Sequence, residues 1–221
     1  MLINIVLSGD NAVVIALAAK SLPESQKKKA IIFGSFAAVL LRIILTVFAL
    51  KLLTLPYLKI VGGILLFYIG VTLLAEGEGE EHIEDKGNLW GAIKTILIAD
   101  VVMSLDNVLG VAAAANGNTL LLIIGLAVSI PLILFGSGIV LKLMEKFPII
   151  ITLGAALLGY LAGEMLFSDT AVAPWIAANI PGHELHLGSM HFSIPGLILA
   201  AAVVIVGTYL QKRQAAAHAA A

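Results

Sequence analysis

Cysteine is absent from this 221-residue chain, which excludes disulfides, iron–sulfur clusters and thiolate metal sites. Charge is scarce as well. Only 12% of residues are Asp, Glu, Lys or Arg, about half of the ~25% usual in a soluble domain. The net charge of −1 says nothing about a partner, and no nucleic-acid partner is expected. No phosphate loop, H-E-x-x-H helix or nucleophile–base pair is present, so the chain is not expected to be an enzyme and needs no cofactor. A cleavable signal peptide is not expected either. The first apolar segment has no basic start and no A-x-A site, and it carries Asp10 in its middle.

Apolar sequence fills the space left by these absences. Hydrophobic residues make up 60% of the chain, and the mean hydropathy is +1.06. A run of about 20 apolar residues, rising 1.5 Å each, crosses a ~30 Å hydrocarbon core. Seven spans are expected, at about 2–19, 30–53, 56–75, 90–115, 118–143, 148–167 and 194–211. Pro23, Pro56, Pro148 and Pro195 fall near span edges, where a missing amide is tolerated. The lipid bilayer is thus the first partner that the sequence implies.

Orientation follows the distribution of Lys and Arg between loops. Lys20, Lys27, Lys28, Lys29, Lys86, Lys94, Lys142, Lys146, Lys212 and Arg213 share one side if the spans alternate. The other side has only Lys51 and Lys59. The expected topology is therefore multi-pass in the cytoplasmic (inner) membrane, with the N-terminus outside and the C-terminus inside. The final AAAHAAA is low in complexity and is expected to stand outside the fold. The long outer loop 168–193 holds His183, Glu184, His186 and His191. Two readings of it stay open: a solvated polar loop, or a weak peripheral site for a divalent metal, since imidazole and carboxylate suit such ions.

The chain also repeats itself. NIVLSGDNAVVIALAA at 4–19 aligns with DVVMSLDNVLGVAAAA at 100–115. Asn4 falls on Asp100, Ser8 on Ser104, Asp10 on Asp106 and Asn11 on Asn107. Further on, Gly34 falls on Gly125, Pro56 on Pro148, Gly62 on Gly154 and Tyr68 on Tyr160. Each copy holds three spans, so the second copy enters the membrane from the opposite side. Inverted repeats of this kind frame midplane sites in many secondary transporters. The expected fold is an all-α, polytopic transmembrane helical bundle in a single membrane domain over 1–221. It comprises repeat 1 (about 2–75), an acidic loop (76–89), repeat 2 (about 90–167), the outer loop and a seventh span.

The repeated polar residues are the candidate site. A carboxylate at the bilayer centre costs about 2.5–3.5 kcal/mol on insertion scales. Asp10, Asp100 and Asp106, with Asn4, Asn11 and Asn107, must therefore face a cation, a cavity or one another. Seven residues turn a helix by about 700°, close to two full turns. Asn4 shares a face with Asn11, and Asp100 with Asn107, whereas Asp10 and Asp106 point about 100° from the asparagine that follows each. A helix break at Ser8 and Gly9 would bring Asp10 and Asn11 together and free backbone carbonyls for a cation. Oxygen donors suit Mg²⁺, Ca²⁺ and Mn²⁺. Hydrogen bonding between helices is the structural alternative. Arg42, about 12 residues from both ends of its span, is expected to be an internal counter-ion rather than a snorkelling cation. Glu164, near the outer end of span 6, lines an exit path or touches headgroups. Gly62, Gly63 and Gly154 are expected to serve close helix packing.

At SGDNAVVIALA and DVVMSLDNVLGVAAA the sequence closely resembles the TerC family of integral membrane proteins, and the resemblance covers nearly the whole chain. The stretch LPESQKKKAIIFGSFAAVLLRIILT resembles the shorter bacterial branch. The family is similar to the LysE superfamily of exporters, and the resemblance implies efflux of divalent cations, chiefly manganese. The family's acidic motif falls here on Asp10, Asn11, Asp100, Asp106 and Asn107, with Asn4, Ser8, Ser104, Arg42 and Glu164 as supporting residues. Family members carry further apolar residues before the first motif, so span 1 is expected to be incomplete. The reading is a Mn²⁺ exporter that exchanges the metal for protons. Its rivals are an exporter of small organic cations and a non-transporting membrane factor that assists metalation of secreted proteins. Neither the metal nor the oligomeric state follows from the sequence.

Overall fold

A computed structural model describes residues 2–52, 55–76, 88–115, 119–180, 182, 184–187 and 190–219, with side chains over 10–45, 55–76, 88–104, 131, 133–180, 182 and 192–217. The helices are α1 (Leu2–Ala19), α2 (Glu24–Leu52), α3 (Leu58–Ala75), α4 (Leu89–Ala115), α5 (Thr119–Lys146), α6 (Ile149–Phe167), α7 (Ala173–Asn179) and α8 (Ile194–Ala219). Seven of them coincide with the seven expected spans, within a few residues except at the start of α2 and the ends of α5 and α8. Helix is what lipid demands, because each backbone amide must find its partner within the segment. Among the described residues, α3, α6 and most of α8 are long and apolar enough to cross a membrane.

Three details differ from expectation. The outer segment is not irregular: it forms α7 and a hairpin of β1 (Glu184–Leu187) and β2 (Met190–Ser193). The alanine-rich tail continues α8 to Ala219, as the high helix propensity of alanine allows. Helices α1 and α4 run unbroken through both polar motifs, so the break that Ser8 and Gly9 would permit does not occur. The intrahelical bond satisfies each amide there, and a glycine by itself costs only about 1 kcal/mol relative to alanine.

The helices pack as two compact units. The first holds α1, α2, α4 and α5, and the second holds α3, α6, α7, the hairpin and α8. Each unit draws on both halves of the sequence.

In the first unit α1 packs on α5, and α2 packs on α4. The C-terminal half of α1 is its core, with Ala16, Leu17 and Ala19 wholly buried. On α2, by contrast, Phe33, Phe36, Leu40 and Ile44 lie exposed at helical spacing. Polar residues inside and an apolar stripe outside is the pattern of a helix that faces lipid. Gly34 of α2 admits Ile96 of α4, whose Cδ1 would stand 2.7 Å from an added Cβ. Where α2 begins and α5 ends, Lys27 Nζ donates to Glu24 (2.6 Å) and Glu145 (2.7 Å). Pro131 lies inside α5 without ending it.

In the second unit glycines set the spacing. An added Cβ at Gly163 of α6 would stand 2.5 Å from the Pro195 carbonyl oxygen, and one at Gly159 would stand 2.6 Å from that of Leu199. These residues form a Gly-x-x-x-Gly pair that lets the backbones of α6 and α8 approach. Gly63 of α3 meets Ala162 of α6 in the same way, and Gly62 and Gly154 are buried, as expected of packing positions. Asp169, wholly buried, ties α6 to the start of α3. Its carboxylate accepts from the amides of Tyr57 and Lys59, both at 3.0 Å, and of Ala171 at 2.8 Å. Tyr57 adopts φ 66°, a left-handed conformation that is strained for a bulky residue, and Asp169 supplies the helix cap there.

Candidate functional site

The first unit contains the buried polar cluster. Asp100 and Ser104 are one turn apart on α4, so they share a face, and both are buried. Arg42, on the neighbouring α2, is only 5% exposed. Its Nη2 donates to Asp100 Oδ1, and its Nε donates to Ser104 Oγ at 2.9 Å. Ser104 Oγ in turn donates to Asp100 Oδ2 at 3.3 Å. Both carboxylate oxygens of Asp100 are thus engaged. A guanidinium fits this task because its planar fork fixes two donors in one geometry.

Asp10 and Asn11 stand on α1. Asp10 is half-buried, Asn11 is 2% exposed, and the Asn11 amide donates to Asp10 Oδ1 at 2.8 Å. Helices α1, α2 and α4 of the first unit thus each contribute one charged group, Asp10, Arg42 and Asp100.

Of the expected site residues, Asp10, Asn11, Asp100, Ser104 and Arg42 belong to this unit. Asp106 and Asn107 lie on α4, and Asn4 and Ser8 on α1, but their side chains are outside the described residues. Glu164 is half-buried on α6, in the second unit. Among the described residues no three His, Asp or Glu side chains stand close enough to hold a metal ion. The described part of the cluster offers two carboxylates and an amide as donors, and one of those carboxylates is held by Arg42.

Asp169 escaped the sequence reading. Its only signal was an acidic residue between Ser168 and Thr170, directly after an apolar span. A partner more than 100 residues away could not be read from that. Ser35 and Ser137, both fully buried in the first unit, were missed as well. Ser137 donates to the Leu134 carbonyl of its own helix at 3.2 Å, the usual resolution for a hydroxyl in lipid.

Comparison with known proteins finds relatives that are themselves named as membrane proteins. The chain is 42% identical over 210 residues to the uncharacterized membrane protein YjbE of Bacillus subtilis, covering 95% of this chain and 92% of that one. It is 26% identical over 219 residues to the membrane protein YceF of the same organism, covering 94% and 79%. To YkoY, also of Bacillus subtilis, it is 25% identical over 219 residues, covering 90% and 67%. No solved structure matches it significantly. The model of the integral membrane protein TerC family matches residues 1–215, and the chain belongs to that family.

Proposed function

We propose that this protein carries a divalent cation, with Mn²⁺ the leading substrate, out of the cell across the cytoplasmic membrane. Asp10, Asn11, Asp100, Asp106 and Asn107 form the site in this reading. The observation that carries it is the buried Arg42–Asp100–Ser104 cluster, in the same unit as Asp10 of α1, which packs on α4. Ionisable groups within membrane helices are costly and mark ion pathways more often than scaffolding. Two carboxylates and one guanidinium leave one negative charge in the described cluster. Asp106 would add a second, which matches a dication. Oxygen donors favour Mn²⁺, Mg²⁺ or Ca²⁺ over softer metals. Arg42 serves as the resident counter-ion that holds Asp100 when substrate is absent.

Helix packing supports the repeat on which this reading builds. If the two halves are exchanged, α1 takes the place of α4 and α5 that of α2. The α1–α5 contact then maps onto the α4–α2 contact, and α3 and α6 pair with each other. That is the pattern two inverted three-helix repeats would give, with α8 as an addition. The Lys and Arg distribution favours an outside N-terminus and an inside C-terminus.

The test is Mn²⁺ flux into proteoliposomes containing the purified protein, with and without a pH gradient, alongside Mg²⁺, Ca²⁺ and an organic cation. Saturable Mn²⁺ flux that Asp10→Asn abolishes is the expected result. Flux of the organic cation alone would identify a different exporter. Absence of flux for every ion would point to a factor that does not transport.

A further inference from the structure

Ser35 of α2 stands apart from other helix hydroxyls. Thr72, Thr208 and Ser137 each donate to a carbonyl of their own helix, at 2.9, 2.6 and 3.2 Å, and Ser104 donates to Asp100. Ser35 Oγ is fully buried and has no hydrogen-bond partner among the described residues. A buried hydroxyl without a partner has lost its water and gained nothing in return, so such groups are rare in folded proteins and need a reason. The line of residues around Ser35 supplies one. At 100° per residue, Lys27, Ile31, Ser35, Ala38 and Arg42 fall within a sector of about 80° on α2. All of them but Lys27 are buried, and Ile31 is the one bulky residue between Lys27 and Arg42 in that sector. Ser35 stands about 12 Å along the helix from Lys27 and about 10.5 Å from Arg42. Lys27 Nζ bridges to Glu145, near the end of α5, at 2.7 Å. Helix α2 leads away from this bridge, and α5, which packs on it, leads up to it. Ser137 precedes Glu145 by as many residues as Ser35 follows Lys27, so the two helices each bury a serine at one depth below the bridge. Ser137 bonds within its own helix, whereas Ser35 does not.

We infer that Ser35 lines a water-filled route from the start of α2 to the Arg42–Asp100 pair, and that the Lys27–Glu145 bridge shuts this route in the present conformation. The Ser35 hydroxyl is dry while the bridge holds and takes water as its partner when the bridge parts. Each state then has its own compensation: the ion pair in the shut state, the hydroxyl's hydrogen bond in the open one. Glu145 is half exposed, and an ion pair of that exposure is weak enough to part and re-form. Small side chains at Ser35 and Ala38 leave room for water once the α2–α5 seam loosens, and Arg42 at the end of the line presents a charge that water solvates well. The Lys and Arg distribution favours this end as the inner one, where a cation bound for export would enter. Only the identity of that traveller rests on the transport reading; the route itself rests on the bridge, the line of residues and the unpartnered hydroxyl.

The chain has no cysteine, so a single introduced thiol reports alone. Full-length single-cysteine variants are placed in nanodiscs, where both ends meet water, and treated with a small cationic methanethiosulfonate. Intact mass follows the rate of modification. A thiol in lipid or in a dry core is inert, because the thiolate is the nucleophile. Ser35→Cys and Ala38→Cys should react at least about tenfold faster than Ala155→Cys, which is wholly buried in α6, since local opening reaches the first two and not the third. Adding Glu145→Gln should raise the Ser35→Cys rate about twofold to fivefold, the factor by which loss of an exposed ion pair shifts an equilibrium. Exchange of the partners, Lys27→Glu with Glu145→Lys, should return the rate to its starting value. Ala38→Cys keeps the test open should Ser35→Cys fail to fold. The inference is overturned if neither thiol reacts faster than Ala155→Cys, if Glu145→Gln leaves the rates unchanged, or if the exchanged pair reacts as fast as Glu145→Gln. Saturating Mn²⁺ should slow the modification. Modification that Mn²⁺ does not alter would count against transport of that cation and leave the water route standing.

Discussion

Arg42 and Asp100 form a buried ion pair between α2 and α4, with Ser104 bonded to both. Each partner makes the other tolerable. Removing one partner of a buried pair leaves an uncompensated charge, at a cost of about 3–5 kcal/mol, whereas replacing both is far milder. Arg42→Gln should therefore lower the protein's unfolding free energy in detergent by an amount of that order. The Arg42→Gln/Asp100→Asn double variant should recover most of it. Equal losses in the single and double variants would show that the pair is not what Arg42 is there to make. If Arg42 is the counter-ion of a transport site, the single variant should also alter the pH dependence of flux.

A second prediction concerns α6 and α8. Gly163 faces the backbone of Pro195 and Gly196, where an added Cβ would stand 2.5–2.6 Å from the nearest atoms. Backbone atoms cannot swing aside as a flexible side chain can. Gly163→Ala should force α8 away from α6 and destabilise the second unit by about 1–3 kcal/mol, the usual cost of overpacking. Gly138 has nothing within 4 Å of an added Cβ, so Gly138→Ala is the control and should be neutral or slightly stabilising. Thermal unfolding of the two variants in the same detergent makes the comparison.

Asp169 carries a pH prediction. Burial works to raise the pKa of its carboxyl, but the amides of Ala171, Tyr57, Lys59 and Ile60 outweigh burial and hold it below its ordinary value of 3.8. A carboxylate whose pKa falls on folding adds stability that is fully present above the unfolded value and is lost as pH drops through the folded one. The cap of α3 should thus hold at neutral pH and weaken only below about pH 4. Asp169→Ala should cost about 0.5–2 kcal/mol at pH 7, as lost caps do, and should flatten the acid limb of the stability curve. An unaltered acid limb in the variant would assign that limb to other carboxylates.

Much of this architecture was legible because lipid imposes simple rules. The length of each apolar run determined a helix, and α1, α3, α4 and α6 begin and end within about two residues of the expected spans. Arg42 could be singled out because a cation in mid-span has few ways to be satisfied, and the structure pairs it with Asp100. What the sequence could not convey depends on contacts remote in the chain. Asp169 reaches Tyr57 across 112 residues, and no local pattern marks that meeting. The hairpin escaped notice because two strands of four residues each are too short for a clear alternation signal. Continuity of α1 through Gly9 also went unseen, since a glycine flanked by polar residues resembles a break until the hydrogen-bond ladder is counted.

The final prediction tests the chemistry of the acidic cluster. Asp10→Asn preserves side-chain volume and one carbonyl oxygen, so α1 should still pack among α5 and α4. It removes a full negative charge from the unit that also holds Arg42 and Asp100, and low dielectric makes charge count for more than in water. Asp100 is ion-paired with Arg42, whereas Asp10 accepts from the Asn11 amide through Oδ1. Its loss should cut Mn²⁺ flux by at least about tenfold, equivalent to about 1.4 kcal/mol, at matched protein density and with an unchanged unfolding midpoint. Asp106→Asn should behave likewise if its carboxylate joins the site. Asp100→Asn differs: it frees Arg42, so its effect on flux should come with a loss of stability. If Asp10 served only as a hydrogen-bonding group between helices, asparagine would replace it and flux would persist. Asp10→Glu separates charge from shape, since it keeps the charge while moving it by one methylene, and partial flux in that variant with none in Asp10→Asn would assign the effect to charge.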